Sequence, residues 1–171
     1  MMLLHGFRGR TVLLLQGPVG PYFRRLSREL TRQGARVLKL NFNGGDCLFF
    51  PEGKAFRGGM EQVRDHVAQL IAREAIDVLM LLGDCRPVHA GMAELADAHG
   101  IDLMVFEEGY LRPDFITCER WGVNGHSTIP RDVAYYRQVV PIDESAVQAV
   151  GNAYWHMAAW TLLYYVACLL A

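Results

Sequence analysis

An α/β fold, with a parallel sheet covered by helices on both faces, is the class this sequence predicts, and three observations predict it. Short apolar runs alternate strictly with stretches of helical periodicity, four of the first kind and three of the second, before the pattern becomes irregular. Thr11–Gln16, Asp77–Leu82 and Ile101–Phe106 are nearly continuous in apolar character, as in parallel strands buried on both sides. Polar and glycine residues gather just after each run, where the ligands of open α/β sheets bind.

In chain order, a short lead-in precedes the first strand, Thr11–Gln16, and Gly17-Pro-Val-Gly-Pro21 turns into a helix over Tyr22–Gln33 closed by Gly34. Arg36–Phe42 alternates more than the first strand and suits a position nearer an edge. Asn43-Gly-Gly-Asp46 ends it, and Cys47–Gly59, with three phenylalanines among its glycines and prolines, reads as an ordered loop packed on the body. Met60–Ala75 is an amphipathic helix with Val63, Val67, Leu70 and Ile71 on one face. After the third strand, Gly83-Asp-Cys-Arg-Pro87 leads to a helix over Val88–His99 closed by Gly100, and then to the fourth strand, Ile101–Phe106. Right-handed crossovers between these elements make a Rossmann-like unit.

From Asp114 to Pro141 the chain is irregular, with a short strand at Phe115–Cys118, and Asp143 fits a helix N-cap. Ala153–Ala171 is almost wholly apolar and close to the length of a membrane span, about 20 residues. It lacks a basic flank and carries His156 and, mid-segment, two tyrosines, so a buried or partner-covered helix ranks ahead of an interfacial or membrane one.

Composition narrows the function classes. The 171 residues, 51% hydrophobic, suffice for one core, and 17 basic against 18 acidic residues leave no field favouring nucleic acid. Cys47, Cys85, Cys118 and Cys168 form no Cys-x-x-Cys pair and have no histidine at zinc-ligand spacing, so neither a metal centre nor a disulfide framework is expected. Four thiols in a reducing cytosol and a cytoplasmic location follow, since Val12–Leu15 is too short for a signal-peptide core.

The candidate site is the carboxyl edge of the sheet. Gly17 and Gly20 follow strand one, Asn43 and Asp46 strand two, Asp84 and Arg86 strand three, and Glu107, Glu108, Tyr110 and Arg112 strand four. Gly17 and Gly20 form neither a dinucleotide fingerprint nor a P-loop; they allow a tight turn or a close ligand approach. Asp84 either caps the following helix or joins Arg86 on a polar ligand, and His89 is a minor candidate facing the same cleft. Glu107 and Glu108 are neighbours in an extended chain and point to opposite faces, so they do not form an opposed carboxylate pair; either one pairs with Arg112 or a backbone amide while the other faces the cleft as general base, or the segment makes only a structural ion pair with Arg112. Asn124, His126, Ser127, Arg131 and Asp132 add groups that bind hydroxyls and carboxylates, and Tyr110 and Trp121 are stacking faces or core lids.

Five motifs carry a family resemblance: Leu15-Gln-Gly-Pro-Val-Gly-Pro-Tyr-Phe23, Asn41-Phe-Asn-Gly-Gly-Asp46, Gly83-Asp-Cys-Arg-Pro87, Phe106-Glu-Glu-Gly-Tyr-Leu-Arg-Pro-Asp114, and Gly122-Val-Asn-Gly-His-Ser127 with Pro130-Arg-Asp132. In this order they resemble the capsular polysaccharide biosynthesis and export proteins; Val133, where a proline is expected, departs from the pattern. The resemblance implies a retaining β-Kdo glycosyltransferase that starts the lipid-linked Kdo oligosaccharide at the inner face of the bacterial inner membrane. CMP-Kdo would be the donor and a lyso-phosphatidylglycerol-type glycolipid the acceptor. It implies the GT-B architecture, of which residues 1–141 would be the Rossmann-like N-terminal domain and 142–171 a helical extension toward a missing second domain. That absent domain would hold most of the donor, no cofactor is implied, and the partners would be the acceptor and the capsule assembly and export machinery. Glu108, with Glu107 second, would be the acid/base carboxylate, and the chain alone would be inactive. A non-catalytic scaffold or signalling module is the alternative, although a receiver domain needs an acidic pair where this chain has Gln16-Gly17.

Overall fold

The computed structural model describes residues 5–109, 115–138 and 154–171. Its elements are β1 (Thr11–Leu14), α1 (Tyr22–Arg32), β2 (Arg36–Asn41), α2 (Gly44–Phe49), β3 (Lys54–Ala55), α3 (Val63–Glu74), β4 (Val78–Leu82), α4 (Met92–Ala98), β5 (Asp102–Glu108), β6 (Ile116–Arg120), α5 (Val133–Tyr136) and α6 (Tyr154–Leu170). The sheet order is β3-β2-β1-β4-β5-β6, parallel throughout except for the β5–β6 hairpin. The chain therefore runs outward from β1 through β2 to β3, then returns to the other side of β1 as β4. The crevice between the carboxyl ends of β1 and β4 is the topological switch point.

Successive residues of the central strands serve two separate cores, as a pleated strand requires. Leu13, Leu79, Leu81, Leu103 and Val105 pack with α3 and α4 on one face. Val12, Leu14, Met80, Leu82, Met104 and Phe106 pack with Phe23 and Leu30 of α1 on the other. Such a side chain, fully buried, stabilises the fold by about 1.5–3 kcal/mol, so a strand with no polar face is fixed in place by both helical layers.

Several boundaries differ from the sequence reading, each for a local reason. β1 is assigned only to Leu14, yet Leu15 N–H still bonds Met80 O and Leu82 N–H bonds Gln16 O, so strand pairing reaches Gln16. The expected loop over Cys47–Gly59 instead holds the second half of α2 and the edge strand β3, because the Asn43 side chain accepts from the Asp46 N–H and starts a helix. A single helix over Val88–His99 is replaced by a 3-10 turn, Pro87–His89, and the separate α4. Gly91, at φ 73°, lies in the left-handed region and breaks the helix there. The short strand expected at Phe115–Cys118 is β6, antiparallel to β5. The Asp143 N-cap lies outside the described residues.

The C-terminal apolar run forms a helix that is covered on one side only. Tyr164 stacks on Phe49 of α2 with ring centroids 6.4 Å apart, and Trp160 lies over Gly20. Side chains at Gly44 or Gly45 would collide with the Ala167 carbonyl or the Tyr164 ring, so these glycines permit the close approach of α6. Trp155, Leu162, Tyr165, Leu169 and Leu170 remain exposed, and among the described residues no helix is long and apolar enough to cross a membrane. Of the expected buried or partner-covered helix, full burial within this chain is not met: one face packs on α2 and no residue of α6 is fully buried.

Helix α3 ends in a strained residue. Its C-cap, Ala75, is exposed and adopts φ 49°, a conformation that Gly34 and Gly100 supply after α1 and α4. A left-handed non-glycine costs about 1–2 kcal/mol, partly offset by the entropy that glycine loses on folding. Ala75→Gly is therefore expected to stabilise the chain by about 0.5–1 kcal/mol. A rise in the denaturant midpoint at unchanged slope is the check; a fall would show that the Ala75 methyl makes a contact worth more than the strain.

Candidate functional site

At the switch point the polar side chains are built inward from the strand ends. Gln16, following β1, accepts a hydrogen bond from Arg86 Nη1 at 3.1 Å, so the loops after β1 and β4 are bridged directly across the crevice. Asp84 does not cap the following helix, in contrast to one of the two readings from the sequence. Its Oδ2 accepts instead from the Val123 N–H at 3.3 Å and lies 3.0 Å from His126 Nδ1. A carboxylate only accepts, so Nδ1 carries the proton in this bond. The turn after β4 is thereby tied to residues about 40 positions later in sequence.

Three hydrogen bonds set the charge state of Asp84. Partial burial pushes its carboxyl upward, but the bonds from His126, the Val123 N–H and Cys85 outweigh burial and hold it below its usual range. The Cys85 thiol moves the other way: its hydrogen bond to Asp84 and the charges of Asp84 and Glu107 raise it. Asp84, Cys85, Glu107 and His126 therefore form one electrostatic neighbourhood.

The two glutamates separate as strand geometry requires. Glu107 follows Val105 in the alternation and belongs to the face carrying Val123, whereas Glu108 follows Phe106 toward the α1 face. Glu107 Oε1 also accepts from the Glu108 N–H at 3.0 Å, and Glu108 is exposed. Gly109 closes the strand: its N–H bonds Phe115 O at 3.0 Å, and a side chain there would strike the Phe115 carbonyl.

The other predicted residues divide between this edge and its neighbour. Ser127 donates to Glu119, Asn124 opens the turn that carries His126 with φ 54°, and Arg131 is exposed beyond it. Trp121, at φ 70°, is partly exposed. Asn43 and Asp46 sit under α6, where Tyr164 OH accepts from Asn43 Nδ2 at 2.7 Å and donates to Asp46 Oδ1 at 3.2 Å. Gln16 Nε2 reaches the same hydroxyl at 3.3 Å. Asp46 also accepts from the Phe42 N–H at 2.9 Å and lies 3.9 Å from the buried Lys39 amine, which burial pulls down to about 8. Gly17 is packed against the Phe23 ring and Gly20 under Trp160, so both glycines serve close packing. Tyr110 and Arg112 lie outside the described residues. Two wider grooves, about 300 Å³ between α1 and the β2–β3 edge and about 410 Å³ beside Phe56 and His66, lie away from this convergence.

Sequence reasoning missed Tyr164, which reaches the edge from more than a hundred residues away, and the backbone N–H of Val123. No spacing rule connects either to the strand ends. A Rossmann-like α/β module whose polar groups meet at its switch point is the class that this fold and edge define.

The chain belongs to the family described as capsule polysaccharide biosynthesis protein, whose model matches residues 77–171. It is 35% identical over 158 residues to the capsule polysaccharide export protein KpsS of Escherichia coli, covering 86% of this chain and 41% of that protein. To the capsule polysaccharide modification protein LipB of Neisseria meningitidis serogroup A it is 34% identical over 163 residues, covering 91% of this chain and 39% of that protein. The chain thus spans about 40% of the length of these relatives.

His89 anchors the turn that carries Asp84. It is 2% exposed, donates from Nδ1 to Gly83 O at 2.8 Å, and has no partner for Nε2. Burial pulls its imidazole down to about 4, so it stays neutral at physiological pH. Below about 6.5 the unfolded chain takes up a proton that the folded chain refuses until about 4, so stability falls as pH drops through that window. The expected loss is on the order of 3 kcal/mol between pH 7 and pH 4, from about 1.4 kcal/mol per pKa unit. Chemical unfolding of wild type and His89→Gln across this range checks it: a slope of equal size in both would assign the acid sensitivity to other groups.

Proposed function

We propose that this chain is the acceptor-side part of a capsule glycosyltransferase that transfers Kdo from CMP-Kdo to a lyso-phosphatidylglycerol-type glycolipid. The observation that carries the proposal is the convergence of Gln16, Arg86, Asp84, His126 and Glu107 at the β1–β4 switch point in a member of the capsule biosynthesis family. Hydroxyl-rich ligands are held by such mixtures of amide, guanidinium, carboxylate and imidazole. Residues 142–171 would lead toward a second domain that holds the donor nucleotide, and partner proteins would be those of capsule assembly and export. Work at the cytoplasmic face of the membrane fits a lipid-linked acceptor.

In this reading a carboxylate of the Glu-Glu-Gly segment acts as the acid/base group. Family resemblance favours Glu108; the charge that Glu107 exerts on Cys85 gives it the supporting place at the crevice. Neutralising a general acid/base group lowers turnover by about 10²–10⁴-fold. In a longer chain that includes the remainder of the protein, Glu108→Gln should cut CMP-Kdo-dependent transfer to a lipid acceptor at least about 100-fold, with Glu107→Gln milder. The reverse ranking would move the role to Glu107, and full activity in both variants would remove this segment from the chemistry.

A further inference from the structure

The sequence expectation of no metal centre rested on spacing along the chain, and the fold removes that basis. The Asp84 carboxylate, the Cys85 sulfur and a ring nitrogen of His126 lie with their ligand atoms all within 4.8 Å of one another. We propose that Asp84, Cys85 and His126 form a binding site for a borderline-soft divalent cation, with Zn2+ as the best match.

The donor set points to that ion class. Oxygen, sulfur and imidazole nitrogen together suit zinc, whereas calcium and magnesium take oxygen ligands. Bonds of about 2.0–2.3 Å at tetrahedral angles place neighbouring ligand atoms about 3.3–3.7 Å apart. Cys85 Sγ lies 3.5 Å from Asp84 Oδ1 and His126 Nδ1 lies 3.0 Å from Asp84 Oδ2, so small side-chain rotations complete the arrangement. Cys85 and His126 are exposed and free to make them, and three protein ligands leave one coordination position open toward the crevice.

Two further features favour a cation here. Asp84 and Glu107 both bring negative charge to Cys85, and such a charge balance attracts a divalent cation. The turn bearing two of the ligands is anchored from below by His89 through Gly83 O and held from the side by the Val123 N–H on Asp84. On binding, the thiol proton goes to solvent, and the imidazole proton moves from Nδ1 to Nε2 as Nδ1 takes the metal.

The test uses this chain, stripped with chelator under reducing conditions and titrated with Co2+ as a spectroscopic stand-in for zinc. The expected result is one equivalent bound with a thiolate-to-cobalt charge-transfer band, bleached by added Zn2+, and a higher melting temperature. Cys85→Ser should abolish the band, and Asp84→Asn and His126→Gln should each weaken binding at least about tenfold. Each variant without metal should keep the circular dichroism of the metal-free parent. Absence of the band, its persistence in Cys85→Ser through Cys47, Cys118 or Cys168, or unchanged affinity in His126→Gln would overturn the proposal. None of these outcomes bears on the glycosyltransferase reading, whose test is turnover in the longer chain.

Discussion

Burial of β1, β4 and β5 on both faces is the constraint from which the rest of the structure follows. Val12 to Leu15, Val78 to Leu82 and Leu103 to Phe106 have no side chain that reaches water along their length. A polar group placed there would go unpaired at a cost of several kcal/mol. Polar chemistry is therefore confined to the strand ends, and the order of the strands decides which ends meet. Because the chain turns back at β1, the residues after β1 and β4 face each other, and the Gln16–Arg86 hydrogen bond is the direct result.

Asp84 turns that placement into a site. Its oxygens accept from the neighbouring Cys85 thiol and, from one distant segment, a backbone N–H and an imidazole, so one carboxylate fixes the turn after β4 against residues 123–126. This arrangement costs little because Asp84 is only partly buried and every bond favours its charged form. The same low burial keeps the neighbouring thiol and imidazole open to water. The backbone at this place is thus fixed while the thiol and imidazole stay at the surface.

The strands and helices were legible because their signals are local: continuous apolar runs for β1, β4 and β5, and helical periodicity for α1 and α3. Boundaries failed where a single side chain or dihedral decides, as with the Asn43 cap that converts an expected loop into α2 and the left-handed Gly91 that splits the expected third helix. The list of edge residues was legible from position alone. Their partners were not, since the Asp84–His126 and Asn43–Tyr164 pairs span 42 and 121 residues and no periodicity links such positions. The separation of Glu107 from Glu108 was readable from the pleat. Which face each would share with Asp84 depended on the sheet order, and therefore on the whole fold.

Helix α6 brings a second constraint to the same edge. Its Tyr164 hydroxyl is the common partner of Gln16, Asn43 and Asp46, three groups that follow the ends of β1 and β2. A tyrosine suits this position because its ring buries apolar area against Phe49 while its hydroxyl satisfies polar neighbours. The contact exists only because Gly44 and Gly45 let the helix approach, so the Gly-Gly pair and the tyrosine act as one unit. Any ligand that engages Asn43 or Asp46 must compete with this hydroxyl, whereas one that engages Asp84, Arg86 or His126 need not. The β1–β4 crevice and the ends of β2 thus respond differently to α6, and the part of the edge that does not depend on the helix is the part held by Asp84.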